Sequence, residues 1–268
     1  MKQFGFIGFG AMAHHVLKVL DTHDGAVPEL ICILETRDVV GRFRKELANR
    51  VPVVKTLGQL LALRPDLVVE CAVSATVREH AEDILKSGTD LLVISMSAFA
   101  EPGLFCRLKA AAKTGGAQII LPAGALGGID AIAAARLGGL RHVRLTSTKP
   151  PQAWKGTPAE QVVDLDGIRT TVTFFRGSAG EAAGSYPKNA NVAAALAIAG
   201  LGFEATEVHL VADPTAAGNT HRIEAEGAFG SLTMEMCGNA LPNNPKTSML
   251  AALSVARTLI GLEAYVVI

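Results

Sequence analysis

Phe4-Gly5-Phe6-Ile7-Gly8-Phe9-Gly10-Ala11-Met12-Ala13 lies at the start of the chain and decides its fold. An apolar run leads into Gly-x-Gly-x-x-Ala, and helix-forming residues continue to Leu20. Each small residue has a steric task in such a turn. Gly8 permits the tight bend, Gly10 lets the backbone approach a pyrophosphate, and Ala13 lets helix and strand pack closely. Ala11 and Met12 then open a helix whose N–H groups and positive dipole end face phosphate. A second apolar run, Leu30–Leu34, ends in Glu35. An acid there accepts hydrogen bonds from a ribose diol. Arg37 offers instead a partner for a 2′-phosphate, so both NAD and NADP stand as cofactors.

The pattern continues outward from this unit. Short apolar runs at Val51–Lys55, Asp66–Cys71, Leu91–Ser95 and Gln118–Leu121 alternate with helix-like runs at Val40–Asn49, Ala75–Ser87 and Pro102–Thr114. Continuous Val/Ile/Leu strands with helices between them predict an α/β fold, a Rossmann-type doubly wound parallel sheet covered on both faces. After Pro122 the texture changes. Val143–Thr148, Thr170–Arg176, Glu207–Ala212, His221–Glu226 and Gly230–Met236 read as longer strands, with an Ala-rich helix over Ala190–Leu201. The later strands alternate polar and apolar residues, so a second α+β domain with a mostly antiparallel sheet is expected. The divisions are 1–122 for the dinucleotide domain, 123–242 for the substrate domain, and 243–268 for a C-terminal helix packing back on the first domain. In that last segment Asn244 can cap the helix and Pro245 suits its first turn.

Bulk composition narrows the function classes. The 268 residues are 49% hydrophobic and 19% charged, enough for a sizeable core. Lys plus Arg balance Asp plus Glu at 25 each. Such a chain has no broad field for nucleic acid or an anionic membrane, and neither is expected as a partner. The longest apolar stretch, Val192 to Phe203, falls well short of the roughly 20 residues of a spanning helix. Met1-Lys2-Gln3 runs straight into a strand pattern, so no secretory leader is expected. Four scattered cysteines without a CxxC pair read as buried thiols in a reducing compartment, and the cytoplasm is the expected location. No His/Cys/Asp cluster has metal-ligand spacing, and no metal is expected.

Three polar segments stand out in the second half: Leu121-Pro-Ala-Gly-Ala125-Leu-Gly-Gly-Ile-Asp130, Ser185-Tyr-Pro-Lys-Asn189-Ala-Asn191-Val-Ala-Ala, and Asp213-Pro followed by Asn219-Thr-His221-Arg-Ile-Glu. The first is a Gly-rich turn at a strand C-terminus, where ligands bind in open α/β sheets. With these segments in this order, essentially the whole chain resembles the L-aspartate dehydrogenase family. The resemblance implies oxidation of L-aspartate with NAD or NADP to an imine that yields oxaloacetate and ammonia, and in many members iminoaspartate for NAD biosynthesis. It implies that His221 is catalytic and that Ala125 and Asn191 contact the cofactor. It also touches the wider group of homoserine dehydrogenase and dihydrodipicolinate reductase.

The residues carry their own chemistry beside that resemblance. His221 lies in an alternating segment and shares the apolar face with Ile223 and Ala225. A histidine there is either a satisfied core residue or a base near neutrality. Asn191 suits a nicotinamide carboxamide and equally an N-cap before Val192-Ala-Ala. Lys149 and Lys188 can meet a substrate carboxylate or remain solvated, and Asn189 and Asn219 are further substrate candidates. Two alternatives accompany an aspartate enzyme: a dehydrogenase or reductase of a related small acid, and a non-catalytic NAD sensor. A homodimer is expected, because the edges of an antiparallel sheet commonly pair between copies.

Overall fold

The computed structural model describes residues 1–36, 51–187, 190–242 and 244–266. They divide into two compact units, one of residues 1–124, 241–247 and 251–268, the other of 125–240 and 248–250.

In the first unit, β1 (Gln3–Ile7), β2 (Glu29–Leu34), β3 (Val53–Val54), β4 (Leu67–Glu70), β5 (Asp90–Val93) and β6 (Ile119–Ile120) form one sheet in the order β3-β2-β1-β4-β5-β6. Every pairing is parallel. This is the doubly wound order, and its direction reverses between β1 and β4. The strands are apolar because the sheet is covered. Phe4, Phe6, Ile33, Val68, Val69 and Leu92 are fully buried. Helices α1 (Ala11–Asp21), α2 (Leu57–Ala62), α3 (Ser74–Lys86) and α4 (Leu104–Gly115) connect the strands. α2 was not expected from the sequence. Thr56 and Gln59 form its capping box, the Thr56 hydroxyl accepting from the Gln59 N–H. The expected helix over 40–49 lies outside the described residues.

In the second unit, β7 (Leu140–Lys149), β8 (Val172–Ser178), β9 (Glu207–Ala212), β10 (Asn219–Gly227) and β11 (Gly230–Gly238) form a sheet in the order β11-β10-β7-β9-β8. β7 and β9 are parallel, and the other pairs antiparallel. One face carries Val143, Leu145, Val208, Leu210, Ile223 and Ala225. Against it pack Ile132 of α5 (Ile129–Leu137), Ala182 of α6 (Ala179–Ser185) and Leu196 of α7 (Asn191–Ala199). The other face is charged. The Arg144 guanidinium reaches Glu207 at 3.0 Å and Glu224 at 3.4 Å, and the His209 ring lies 2.6 Å from Glu207.

The C-terminal segment corrects one expectation. Asn244 does not cap a helix. Residues Asn244–Ser248 form β13, paired with β12 (Ala240–Leu241), and α8 begins only at Met249 and runs to Gly261. The residue before a proline is biased toward extended backbone, which suits Asn244 to a strand. Its side-chain amide donates to the Thr247 hydroxyl at 2.8 Å. From Ala251 onward α8 belongs to the first unit. There its Ser254 hydroxyl accepts the N–H of Gly124, and Glu263 just beyond its end accepts the N–H of Lys2. The cysteines differ from expectation too. Cys32 is buried, but Cys106 and Cys237 are exposed. No described helix is long and apolar enough to cross a membrane.

Candidate active site

The first unit contributes a cradle made of backbone. Gly8 holds φ +82, and a Cβ there would lie 2.9 Å from the Ala72 Cβ, so only glycine fits without strain. Gly10 differs. Its φ is −97, open to any residue, and a Cβ there would stand in empty space. That space is where a ligand can approach the backbone. Gly10 also begins α1 with no side-chain cap. The first helical hydrogen bond runs from the His14 N–H to the Gly10 carbonyl, so the N–H groups of Ala11, Met12 and Ala13 precede the ladder. Ala13 is fully buried, as close packing of helix on strand requires. Glu35, at the end of β2, is 3% exposed, and its Oε2 accepts the Phe9 N–H at 3.0 Å. The acid thus braces the turn. An open backbone at Gly10, an uncapped helix start and a buried acid one strand over fit a dinucleotide. Arg37 lies outside the described residues.

The second unit contributes side chains held by strand register. His221 pairs with Ser147 across β10 and β7, and the Ser147 hydroxyl lies 3.0 Å from His221 Nδ1. Both are buried. The other ring nitrogen, Nε2, has no hydrogen-bond partner among the described residues. Lys149 lies two residues past Ser147 on the same face of β7. Its ammonium sits 4.9 Å from the ring centroid of Trp154, in the 3₁₀ turn Pro151–Trp154 that follows the strand. The Trp154 indole is itself fixed, donating to the Val211 carbonyl at 3.0 Å. Burial brings the Lys149 ammonium down to about 8. Burial, and then the charge of Lys149, bring His221 down to about 4. The imidazole is therefore neutral at pH 7.

Of the other expected residues, Asn219 shares the His221 face of β10, two residues earlier. Ala125 begins the loop that runs to α5. That loop lies against the same end of the sheet, since a Cβ at Gly127 would come 2.8 Å from the Met234 sulfur and 2.9 Å from that of Met236. Met236 is the cross-strand neighbour of His221 on β11. Asn191 is exposed and is the first residue of α7, whose cap position belongs to Ala190. Lys188 and Asn189 lie outside the described residues. Ser147 and Trp154 were missed by sequence reasoning. Ser147 could have been found as a hydroxyl in the inward row of Val143 and Leu145. Trp154 carried no signal beyond its proximity to Lys149.

Comparison with known proteins bears on both units. Residues 8–122 match a family described as "Homoserine dehydrogenase, NAD binding domain", and residues 130–262 match "Aspartate dehydrogenase, C-terminal". The chain is 47% identical to an L-aspartate dehydrogenase of Ralstonia nicotianae, covering 100% of this chain and 99% of that one. It is 46% identical to an L-aspartate dehydrogenase of Pseudomonas aeruginosa over 97% of both. Among solved structures, the aspartate dehydrogenase of Thermotoga maritima superposes with a TM-score of 0.79 at 25% identity, covering 100% of this chain and 99% of that one. With a dinucleotide cradle in one unit, a buried histidine beside a lysine in the other, and full-length identity at this level, the chain belongs to the L-aspartate dehydrogenase family.

Proposed function

We propose that this chain oxidises L-aspartate at Cα with NAD or NADP, giving iminoaspartate and then oxaloacetate and ammonia, and that it runs the reverse reaction when ammonia is abundant. The observation that carries the residue assignment is the pairing of His221 with Ser147 beside Lys149. Bound NAD or NADP supplies the hydride acceptor. The protein must neutralise the substrate ammonium before hydride can leave and must hold two carboxylates. His221 is the base. Ser147 orients its ring through Nδ1, which leaves Nε2 for the amine proton and later for the water that attacks the imine. Lys149 takes a substrate carboxylate.

The same electrostatics link the two roles. An imidazolium at position 221 is disfavoured by burial and by the charge of Lys149. A carboxylate against Lys149 offsets that charge and makes His221 a stronger base once substrate is bound. Asn219, Asn189 and Lys188 are further proposed contacts of the substrate. Gly8, Gly10, Ala11, Met12, Glu35, Arg37, Ala125 and Asn191 are proposed contacts of the dinucleotide.

We further propose a cytoplasmic homodimer whose iminoaspartate feeds NAD biosynthesis. β11 and β8 are the outer strands of the second sheet and are available for pairing between copies. Light scattering that finds only a monomer at micromolar concentration contradicts the dimer.

The test of the activity is absorbance at 340 nm with L-aspartate and either NAD or NADP, beside L-homoserine, L-glutamate and L-alanine. Reduction with L-aspartate alone is expected. Reduction with L-homoserine instead points to the related dehydrogenase. Binding of NADH without turnover of any substrate points to a sensor.

A further inference from the structure

Glu70 is a buried carboxylate that the proposed chemistry does not use. It ends β4, one of the two strands flanking the point where the sheet order reverses, and it is 1% exposed. A side chain so placed in a covered parallel sheet is ordinarily apolar. Its two oxygens accept four hydrogen bonds. Oε1 takes the N–H of Ala72 at 2.8 Å and the Ser95 hydroxyl at 2.9 Å. Oε2 takes the N–H groups of Ser95 at 2.9 Å and Ile94 at 3.2 Å. The donors come from two loops, one following β4 and the other following β5. A second tie lies just beyond these loops, where the first residue of α3 meets the 3₁₀ turn Met96–Ala100, Ser74 to Ser97 at 2.8 Å between hydroxyl oxygens. Burial pushes the Glu70 carboxyl upward, and the donors act against that shift.

The β4 loop leads directly to the cradle. A Cβ on Gly8 would meet the Ala72 Cβ at 2.9 Å, the Ala72 Cα at 3.0 Å and the Cys71 carbonyl at 3.1 Å. The Gly8 turn therefore rests on the residue whose N–H Glu70 holds. We infer that Glu70 is a positioning residue for the dinucleotide: by clamping the loops after β4 and β5 it fixes Ala72, and through Ala72 the Gly8 turn that receives the pyrophosphate.

Glu70→Gln separates this role from simple stabilisation. Glutamine keeps the volume and one acceptor oxygen, but its NH2 can only donate. Placed at the Oε1 position, the NH2 can donate to a reoriented Ser95 hydroxyl, which leaves the Ala72 N–H unmatched. The expected result is a dissociation constant for NADH or NADPH raised about tenfold, as for one hydrogen bond to a charged group. The KM for L-aspartate at saturating cofactor is expected to stay within about twofold, since the substrate groups proposed above lie elsewhere in the chain. Fluorescence titration of the full chain measures the first, and steady-state rates the second. A lowered thermal midpoint with unchanged nucleotide affinity overturns the inference, because that is what a purely structural carboxylate gives. Should Glu70→Gln fail to fold, Ser95→Ala removes one donor and leaves three. It should weaken nucleotide binding by roughly threefold, and unchanged affinity overturns the inference as well.

Discussion

In the first unit the groups proposed to face the ligand are backbone N–H groups around Gly10, held by a turn that only glycine can make at position 8. In the second they are side chains, His221, Ser147 and Lys149, placed by the register of β10 against β7. The difference is in what each kind of site tolerates. A backbone cradle accepts any sequence that keeps its three small residues and a helix start, so its motif recurs across many enzymes and says little about substrate. A register-built cluster depends on identities far apart in the chain. It can therefore encode a particular reaction, and each member should be individually sensitive.

Five substitutions, two of them read against pH, probe that contrast. The largest effect is expected from His221→Ala, which should lower kcat about 10²-fold or more while NADH affinity, measured by fluorescence, stays within about twofold. Parallel loss of NADH affinity would merge the two sites and break the comparison. Next come the glycines. Gly10→Ala adds a methyl in open space at an ordinary φ, so thermal stability should hold while nucleotide affinity falls about tenfold or more. Gly8→Ala should lower both, since the φ of +82 and the contact with Ala72 act on the fold itself. Differential scanning fluorimetry with and without NADH separates the pair.

Lys149 gives a smaller, pH-dependent effect. Its ammonium loses charge as pH rises through about 8. Competitive inhibition by succinate, whose carboxylates do not titrate there, should therefore weaken up to about tenfold per pH unit above 8. In Lys149→Arg the guanidinium stays charged and the dependence should flatten. A succinate constant independent of pH in the unmodified chain argues against the carboxylate role. A further effect is on stability. The His221 imidazole holds about 4 in the folded chain against an ordinary 6.5, so the folded state binds the proton less readily. Stability from this group is complete above pH 6.5 and is lost as pH falls toward 4, by about 3 kcal/mol at most. Urea midpoints between pH 4 and 7 should show His221→Asn losing less over that interval than the unmodified chain.

The parts that were legible in the sequence share a physical character. The Gly8–Ala13 turn is local and sterically dictated, and the parallel strands announce themselves as unbroken apolar runs. His221 could be placed on the inward face because alternation along β10 needs no knowledge of partners. What stayed hidden depended on long-range pairing or on competing local signals. Ser147 acquires meaning only when β7 is set against β10, its partner lying 74 positions further along the chain. Glu70 sat in plain view at the end of an apolar strand, yet three of its four hydrogen bonds come from a loop about 25 residues later. At Asn244 two signals competed: a capping side chain favours a helix, but the following proline biases it to extended backbone, and the strand prevailed. The Thr56–Gln59 capping box opens a helix of only 6 residues, too short for an apolar period to mark it in the sequence.

The most direct test of the account is the fate of the hydrogen on the substrate Cα. L-aspartate deuterated at that position, incubated with the purified chain and NAD or NADP, should give reduced cofactor carrying one deuterium by mass spectrometry. Reduced cofactor formed without deuterium, or no reduced cofactor while L-homoserine is turned over, would contradict the assignment of this chain as an enzyme that takes hydride from the Cα of L-aspartate.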